Sequence, residues 1–597
     1  MANSPIVNSD GVVCVTILSE GTAIASTVEV VSVDITQCIN RISNARIILN
    51  DGDMPNATFP LSEMDVFKPG SAISIQLGYA NVISTIFSGI VIKHSIRISG
   101  VNASRLIIEC KDKTLAMTVG RKNANYIDKK DSDIISQLIG ASAGLTATVT
   151  ATTIQHKELV QFYCSDWDFM VARAEANGQL VVVHNSTVTV KALDATSEPV
   201  LTLTYGMDVM DFHAELDARA QYQQVTATGW DLASQQITQQ QAAPQELTGQ
   251  GNINSNTLAQ VLGLAQFNMQ TDVPLAADEL TQWAKAQQLK SELARIRGHV
   301  SFQGSGEVTV GDIIELKGVG ARFNGNVLVT AVDHRVADGN WVTRVDFGMP
   351  SSWFTEEQND IAAPLAAGLT AGITGLHIGV VKKLDADPES QYKIQVSVPV
   401  MHAESDGVWA RLSNFYGSNS FGAFFIPEVG DEVILGFFND DPSHPVILGS
   451  LYSSKNKAPY ELTADNFIKA IITRSKLKIE FNDDKKIITL VTPQNNTIVI
   501  SDDGKSILVQ DQTNNKVELN TSGITLDSPK DIVISAKGKI TLDAVGNIEL
   551  TSKADVKETA LNITHTANIG FTAKGSATAE LSASGTTTIK GAMVMIN

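Results

Sequence analysis

The sequence predicts a mainly β protein with a few helices, ending in a stem that three chains build together. Three observations carry this. Apolar and polar residues alternate in short runs along most of the chain. The span 376–455 is compact and all-β in pattern. Residues 531–554 then repeat every eight residues as DIVISAKG, KITLDAVG and NIELTSKA, with apolar residues second and fourth in each block.

Taken in order, Val12 to Ile17, Ala45 to Leu49, Ser71 to Leu77, Phe87 to Ile92 and Arg105 to Cys110 read as strands of a small barrel or sandwich. A helix is expected at about Ser132–Ile139. A second starts at Ser165/Asp166, whose side chains suit an N-cap, and places Trp167, Met170, Val171 and Ala174 on one face. Leu180–Val183 and Val188–Val190 form a hairpin around His184-Asn185. The Gln-rich residues 231–256 read as a surface excursion. Leu280, Trp283, Ala286, Leu289, Leu293 and Ile296 fall at helical spacing, which predicts a helix over Ala277–Arg297 stopped by Gly298. VTVGDIIEL and NVLVTAVDH resume the strand pattern until about 347–349, and an Ala/Gly-rich linker follows.

After the linker, Tyr392, Ile394, Val396 and Val398 alternate on one strand. Val408–Leu412, Ala423–Ile426 and Glu432–Phe438 supply others, which fits an OB-type barrel. Strands of five to seven residues continue from Lys476, joined by NDDKK, SDDGK and NTSG turns. The octads begin at Asp531. One eight-residue strand and corner cannot bury its own apolar face. A single-chain β-helix needs about 18 residues per coil to turn its corners. Eight residues suit a three-sided prism in which each chain contributes one face, so the octads argue for an obligate homotrimer. The register slips at DVKETALNITHTA and recovers at Asn568–Gly575. Stacked at about 4.8 Å per strand, the stem from Lys476 would reach roughly 70 Å.

Composition narrows the function. The chain of 597 residues is 43% hydrophobic and 18% charged, which is globular, and its net charge is −19. That sign opposes a phosphate backbone, so no nucleic acid partner is expected. Cys14, Cys38, Cys110 and Cys164 have neither metal-site nor disulfide-framework spacing and read as buried free thiols. No run is long and apolar enough for a membrane span. MANSPIVNSDG lacks a basic and apolar leader, so assembly in the cytoplasm without a signal peptide is expected.

Gly407–Leu412 (GVWARL) and FGAFFIPEVGDEVILGFFNDDPSHPVILGSLY at 421–452 carry a specific pattern. It runs Trp-Ala-Arg, then Phe-x-Pro-x-Val-Gly-Asp-Glu-Val, then Asp-Pro-x-x-Pro-Val-x-x-Gly. This closely resembles the OB domain of the VgrG-like (valine-glycine-repeat) spike proteins of type VI secretion systems, contractile phage baseplates and phage-tail-like particles. SDWDFMVARAEANGQLVVV (165–183) and GDIIELKGVGARFNGNVLVTAVDH (311–334) resemble the hub domains of that family.

The resemblance implies hub domains at 1–360, two tube-like β-barrels with helical insertions; a linker at 361–375; an OB-fold collar at 376–455; and a trimeric intertwined β-prism needle at 456–597. It implies a homotrimeric central spike that caps the inner tube and punctures a target envelope. Implied partners are further copies of the chain, inner-tube or hub adaptor proteins, baseplate proteins, a PAAR-type tip protein and cargo effectors. The particle would be extracellular or delivered on firing. Trp409, Arg411, Pro427, Gly430, Asp431, Pro442, Pro445 and Gly449 would be structural residues of the OB fold. Phage relatives often insert a lysozyme domain after the OB fold, and some type VI relatives end in a toxin. The short 453–475 segment and the octad pattern running to GAMVMIN lead to the expectation of neither.

No catalytic residue, metal site or cofactor is expected. Gly140-Ala141-Ser142-Ala143-Gly144 matches GxSxG, but a helix precedes it where a nucleophile elbow needs a strand. Asp441, Ser443 and His444 share one proline-bounded turn, which suits a loop. Val429, Val433 and Leu435 are expected in the barrel core, with Gly430 permitting the turn. At the end of the octads, Met593, Val594, Met595, Ile596 and Asn597 are candidates for a flat apolar platform that binds a tip protein, or for the core of the last octad. The alternative function is a trimeric receptor-binding or polysaccharide-degrading fibre. That would want a groove of aromatics and carboxylates, and Phe571 is the one aromatic after Asp531.

Overall fold

Alternation decides the first sheet. In Val30–Cys38 the residues Val33 and Ile35 turn inward, as do Ala45, Ile47 and Leu49 in Asn44–Asn50 and Ile73, Ile75 and Leu77 in Ala72–Tyr79. The computed structural model describes residues 4–8, 11–80, 82–100, 103–194, 197–244, 249–401 and 407–596. It divides into two units, 1–452 and 453–597.

In the first unit one 13-stranded sheet joins both ends of the hub sequence. Val30–Cys38 pairs antiparallel with Gly325–Ala337, from Ala331↔Cys38 to Ala337↔Ser32. The long strand Gly325–Ala337 serves two cores. Its Val329 and Val332 pack with Val300, Phe302, Val345 and Phe347. Its Val336, with Trp341 from the next strand, packs with Ile47, Ile75, Phe87 and Ile108. The strand Val30–Cys38 is absent from the expected set; it forms a hairpin with its neighbour Asn44–Asn50 on one edge and pairs on the other with Gly325–Ala337, some 300 residues away.

Two helices build a third core. Helix α1 spans Asp131–Gly140 and α2 spans Asp166–Ala176. Ser165 is the N-cap of α2, its hydroxyl accepting from the Asp168 N–H at 3.0 Å. Trp167, Met170, Val171 and Ala174 are buried together with Ile134, Ile135, Val181 and Val183. The hairpin Gln179–His184/Thr187–Ala192 turns at Asn185-Ser186, one residue later than expected, because both take positive φ (48° and 66°) as a tight primed turn requires.

Two expectations are corrected in the next segment. The Gln-rich stretch includes a strand, Gln236–Ala242, paired with Gln224–Asp231 and covered by a helix. After α3 (Ser255–Leu262), that covering helix, α4, spans Ala277–Leu293 and stops short of Arg297. Ile296 belongs to the strand Ile296–Gln303, where it pairs with Leu216 and is 4% exposed; sheet pairing overrides helical spacing. Gly298 is therefore no helix stop. A Cβ there would lie 2.1 Å from the His213 carbonyl oxygen, so the glycine permits close strand crossing.

The linker is anchored at both ends. Arg121 donates to the carbonyls of Asp360 and Ile361, and Ile373 N–H donates to Asp440 O at 2.9 Å. A closed five-stranded barrel follows: His377–Lys383, Ile394–Ser397, Val408–Leu412, Pro445–Ser450 and Glu432–Phe437, in that spatial order. Ile394, Val396, Ala410, Val433, Leu435 and Ile447 fill it. Tyr392 is 91% exposed with φ 57° and precedes the strand rather than joining it. Ala423–Ile426 is irregular, not a strand. Val429 is 61% exposed outside the core, and Pro427 is buried there instead.

Cys110 and Cys164 are buried, whereas Cys14 and Cys38 are only partly so, which amends the expectation of four buried thiols. Burial pushes the Cys110 thiol up to about 12 and is the main cause raising Cys38 to about 11. Among the described residues no helix is long and apolar enough to cross a membrane.

The second unit opens with a 7-stranded antiparallel meander: Ile468–Ile472, Lys478–Asn482, Ile487–Val491, Thr497–Ser501, Ser506–Gln510, Lys516–Asn520 and Gly523–Asp527. Strands begin at Ile468, ahead of the expected Lys476, and form consecutive hairpins within one chain rather than winding from the start.

Candidate oligomerisation surfaces

The meander has two unlike faces, set by register. One column runs Ile471↔Ile479↔Leu490↔Ile498↔Val509↔Val517↔Leu526, each residue directly opposite the next. Beside it runs Phe481↔Ile488↔Ile500↔Ile507↔Leu519↔Ile524. Lys469 alone breaks this second column, opposite Phe481 at its start, where its ammonium pairs with Asp483 at 2.6 Å. The other face mixes Glu480↔Thr489, Lys478↔Val491 and Glu518↔Thr525. The apolar columns are uncovered in one chain: Ile479 is 38% exposed, Leu490 37% and Ile500 42%.

Covering that remaining surface would contribute on the order of 1 kcal/mol per side chain. Summed along two columns, this exceeds the roughly 4–15 kcal/mol that association costs in lost freedom. The turns that set the register are polar and locally closed. At 511–515, hydrogen bonds from the Asn515 and Thr513 side chains, then from their backbone N–H groups, hold the Asp511 carboxyl down to about 2. A sequence signal for this sheet was present and missed: Ile468, Ile487 and Ser506 begin hairpins spaced nineteen residues apart.

Beyond Asp527, the described residues form no strand ladder within the chain. The chain bends at 529–530, 537–538, 545–546 and 553–554, every eight residues, and again at 576–577, 584–585 and 592–593. The bend at 568–569 opens this second series, which as a whole runs one residue ahead of the first, so the register shifts across 555–567, where the slip is expected. Exposure repeats with the octads: Ile532 54% and Ile534 69%, Ile540 52% and Leu542 69%, Ile548 55% and Leu550 70%. Aliphatic residues repeated at this exposure need a cover that this chain does not supply. At the end, Met593, Val594, Met595 and Ile596 are 79%, 50%, 75% and 89% exposed. Asn597, assigned to the same platform, lies outside the described residues.

The expected OB residues lie on the strands and turns of the barrel. Gly430 has φ 92° and its N–H donates to Val381 O at 2.8 Å, while Val381 N–H donates to Asp431 O at 3.0 Å. The Asp431 carboxylate accepts from Glu428 N–H at 2.8 Å, closing the turn. Trp409 pairs with Gln395, Pro445 with Phe437 and Gly449 with Ile434. Arg411 is exposed and lies over the Phe438 ring at 5.9 Å. Asp441 accepts from the Ser443 N–H at 2.8 Å and sits 3.2 Å from His444 Nδ1. The Ser443 N–H leads the causes that keep its carboxyl below the usual range, and Pro442 sits within this turn. At 140–144, Ser142 N–H donates to Ile139 O at 3.1 Å and Gly144 takes φ 78°, which is helix-end geometry.

A cleft of about 1540 Å³ opens between α2 and α4. Asp131, 1% exposed, accepts at its edge from Arg173 Nε (2.6 Å) and Nη2 (2.9 Å) and from Asn177 (2.8 Å), and lies 2.8 Å from His156 Nε2. His156 Nδ1 is 3.2 Å from Glu279 on α4. Burial alone would raise Asp131, but Arg173 and the other donors hold its carboxyl below the usual value. Each polar group in the network has a partner, so it ties α1, α2 and α4 together.

Comparison with known proteins agrees with this division. Residues 9–338, more than half of the chain, match the Alg8 N-terminal domain. Residues 377–452 match the type VI secretion system/phage-baseplate injector OB domain, and 487–554 match the phage baseplate V C-terminal trimerisation domain. The type VI secretion system spike protein VgrG5 of Pseudomonas aeruginosa is 41% identical over 59 residues, 10% of this chain and 8% of that protein. VgrG1a of the same species is 35% identical over 72 residues, 12% of this chain and 11% of that protein. The matched region is thus a small part of either relative's length. The E. coli c3393 protein, a component of the type VI secretion system, superposes with a TM-score of 0.37 at 12% identity, covering 73% of this chain and 99% of that one.

Proposed function

From a chain that belongs to the Alg8 N-terminal domain family and is a VgrG-like spike protein, we propose that it is the homotrimeric central spike and hub of a contractile injection machine, capping the inner tube and puncturing the target envelope. The observation that carries this is the pair of apolar columns from Ile471 to Leu526, uncovered in one chain and overlapping the matched trimerisation domain. Three such faces turned inward make a closed prism with no sheet edge along its sides. The octads continue it as strands that three chains interleave, which yields a stiff rod.

On this reading the hub residues, 1–360, meet the tube and baseplate proteins, the linker 361–375 leads to the barrel at 376–455, and 456–597 form the needle. Its work is mechanical, not catalytic. Met593–Ile596, with Asn597, form the platform for a PAAR-type tip protein, and cargo effectors ride on the assembly. The particle is put together in the cytoplasm and acts outside or on firing. The charge of −19 disfavours nucleic acid as cargo.

Light scattering on the purified chain and imaging of intact particles with and without it test the reading. The expected mass is that of three copies, with density at the head of the tube. A clean monomer, or density in peripheral fibres with glycan cleavage, would overturn it in favour of a receptor-binding fibre.

A further inference from the structure

The barrel carries an aromatic hairpin that its own closure does not use. Between Val408–Leu412 and Glu432–Phe437 the chain leaves the wall and forms a two-rung ladder, Gly417↔Gly422 and Ser418↔Phe421. The Ala423 N–H donates to Tyr416 O at 2.8 Å, and the Tyr416 and Phe421 rings lie 6.0 Å apart. Around this ladder Phe415 is 86% exposed, Phe424 82%, Phe421 60%, Tyr416 58% and Phe425 54%. The barrel core is complete without them. Exposed aromatics in one contiguous segment mark a contact surface, since large rings left in water are favourable to cover and are enriched in interface centres.

Residues 413–426 contain no Asp, Glu, Lys, Arg or His, in a chain that is 18% charged. A charge-free face suits a partner of the same net sign, because no like charges are desolvated against each other. A second copy, also at −19, is such a partner. The barrel is joined to the first stem strand by only 451–467. At about 3.5 Å per residue, that tether keeps three barrels on one stem within about 60 Å of their attachment. Tethering of this kind raises the effective concentration of one barrel toward another to about the millimolar range.

We propose that the hairpin at 415–425 docks onto the barrel of a second copy of this chain, head to tail around the threefold axis, so that the trimer is held at the collar as well as at the stem. The inference rests on the trimeric reading above.

Hydroxyl-radical footprinting of the full-length protein tests it, with the mass of the same sample measured in parallel. Phe415 and Phe424 should be modified at least about fivefold more slowly in the trimer than in a full-length Leu490→Asp variant that has lost the trimer. Equal rates would overturn the collar contact while leaving the stem intact. Protection in the monomer as well would overturn it too, because the chain would then cover its own hairpin. A wild-type chain that is itself monomeric would sink the trimeric reading instead. In a second arm, Phe415→Ser/Phe424→Ser should keep the trimer mass and raise hydrogen exchange across 408–450 several-fold. Unchanged exchange there counts against the proposal.

Discussion

Leu490 stands directly across the ladder from Ile498, and both face the uncovered side of the stem sheet. Thr489, one residue earlier, faces the opposite side across from Val499. This alternation means that adjacent substitutions separate assembly from folding of the sheet. Leu490→Asp would place three carboxylates in the apolar interior of the trimer, each costing several kcal/mol without a partner. The expected outcome is a fall from trimer to monomer mass in light scattering. Thr489→Asp should leave the mass of three copies unchanged. A trimeric Leu490→Asp would place the interface on the other face.

His334 gives the hub a defined pH response. It is 2% exposed, its Nδ1 lies 3.0 Å from Thr343 Oγ1, and burial holds the imidazole down to about 3. The same group titrates near about 6.5 when unfolded. Above that pH both states are neutral and His334 contributes no pH dependence. As pH falls from about 6.5 toward about 3, the unfolded chain takes up a proton that the folded chain refuses, so stability falls. The melting temperature of wild type should therefore drop more steeply between about pH 7 and about pH 4.5 than that of His334→Gln. Parallel curves would show that His334 does not titrate on unfolding.

Gly304 is fixed by a neighbouring ring. A Cβ there would lie 2.1 Å from Trp341 Cδ2, and Trp341 is 1% exposed and stacked on Tyr79 at 5.4 Å between ring centres. The buried indole must shift to admit it. Gly304→Ala should destabilise the hub by about 3 kcal/mol in urea unfolding. Gly140→Ala, at a helix end where nothing lies within 4 Å of the added methyl, should be neutral or slightly stabilising.

The sequence was most legible where one element sets its own pattern. Ser165 and the Trp167/Met170/Val171/Ala174 spacing specify α2 locally, and Val433 and Leu435 specify a barrel strand by alternation. The octads gave their bends to within one residue. Reading failed where a distant partner decides. Ile296 keeps helical spacing with α4, yet its pairing with Leu216 makes it a strand. Val30–Cys38 pairs with the neighbouring Asn44–Asn50 on one edge, but its other partner, Gly325–Ala337, lies far along the chain and no local residue points there. The apolar columns of the stem depend on register across seven strands, so they emerge only when Leu490 is placed opposite both Ile479 and Ile498. The hairpin beside Phe415 and Phe424 stayed hidden because Ala423–Ile426 reads as a barrel strand, whereas the only ladder there is the two-rung Gly417↔Gly422 and Ser418↔Phe421.

Gly546 tests how tightly the octads close. It sits at the bend 545–546, and a Cβ added there meets nothing within 4 Å of the same chain. Its φ is not in the left-handed region, so a larger residue carries no backbone strain. At the first added carbon, therefore, a penalty would have to come from another copy. If small residues at the corners let three chains approach closely, Gly546→Leu forces them apart at three equivalent points, at about 1–3 kcal/mol each. The trimer band in SDS electrophoresis should then be lost at a lower temperature than in wild type, while Gly546→Ala stays close to it. A Gly546→Leu trimer as resistant as wild type would mean that this corner faces solvent and that the prism closes through its strands alone.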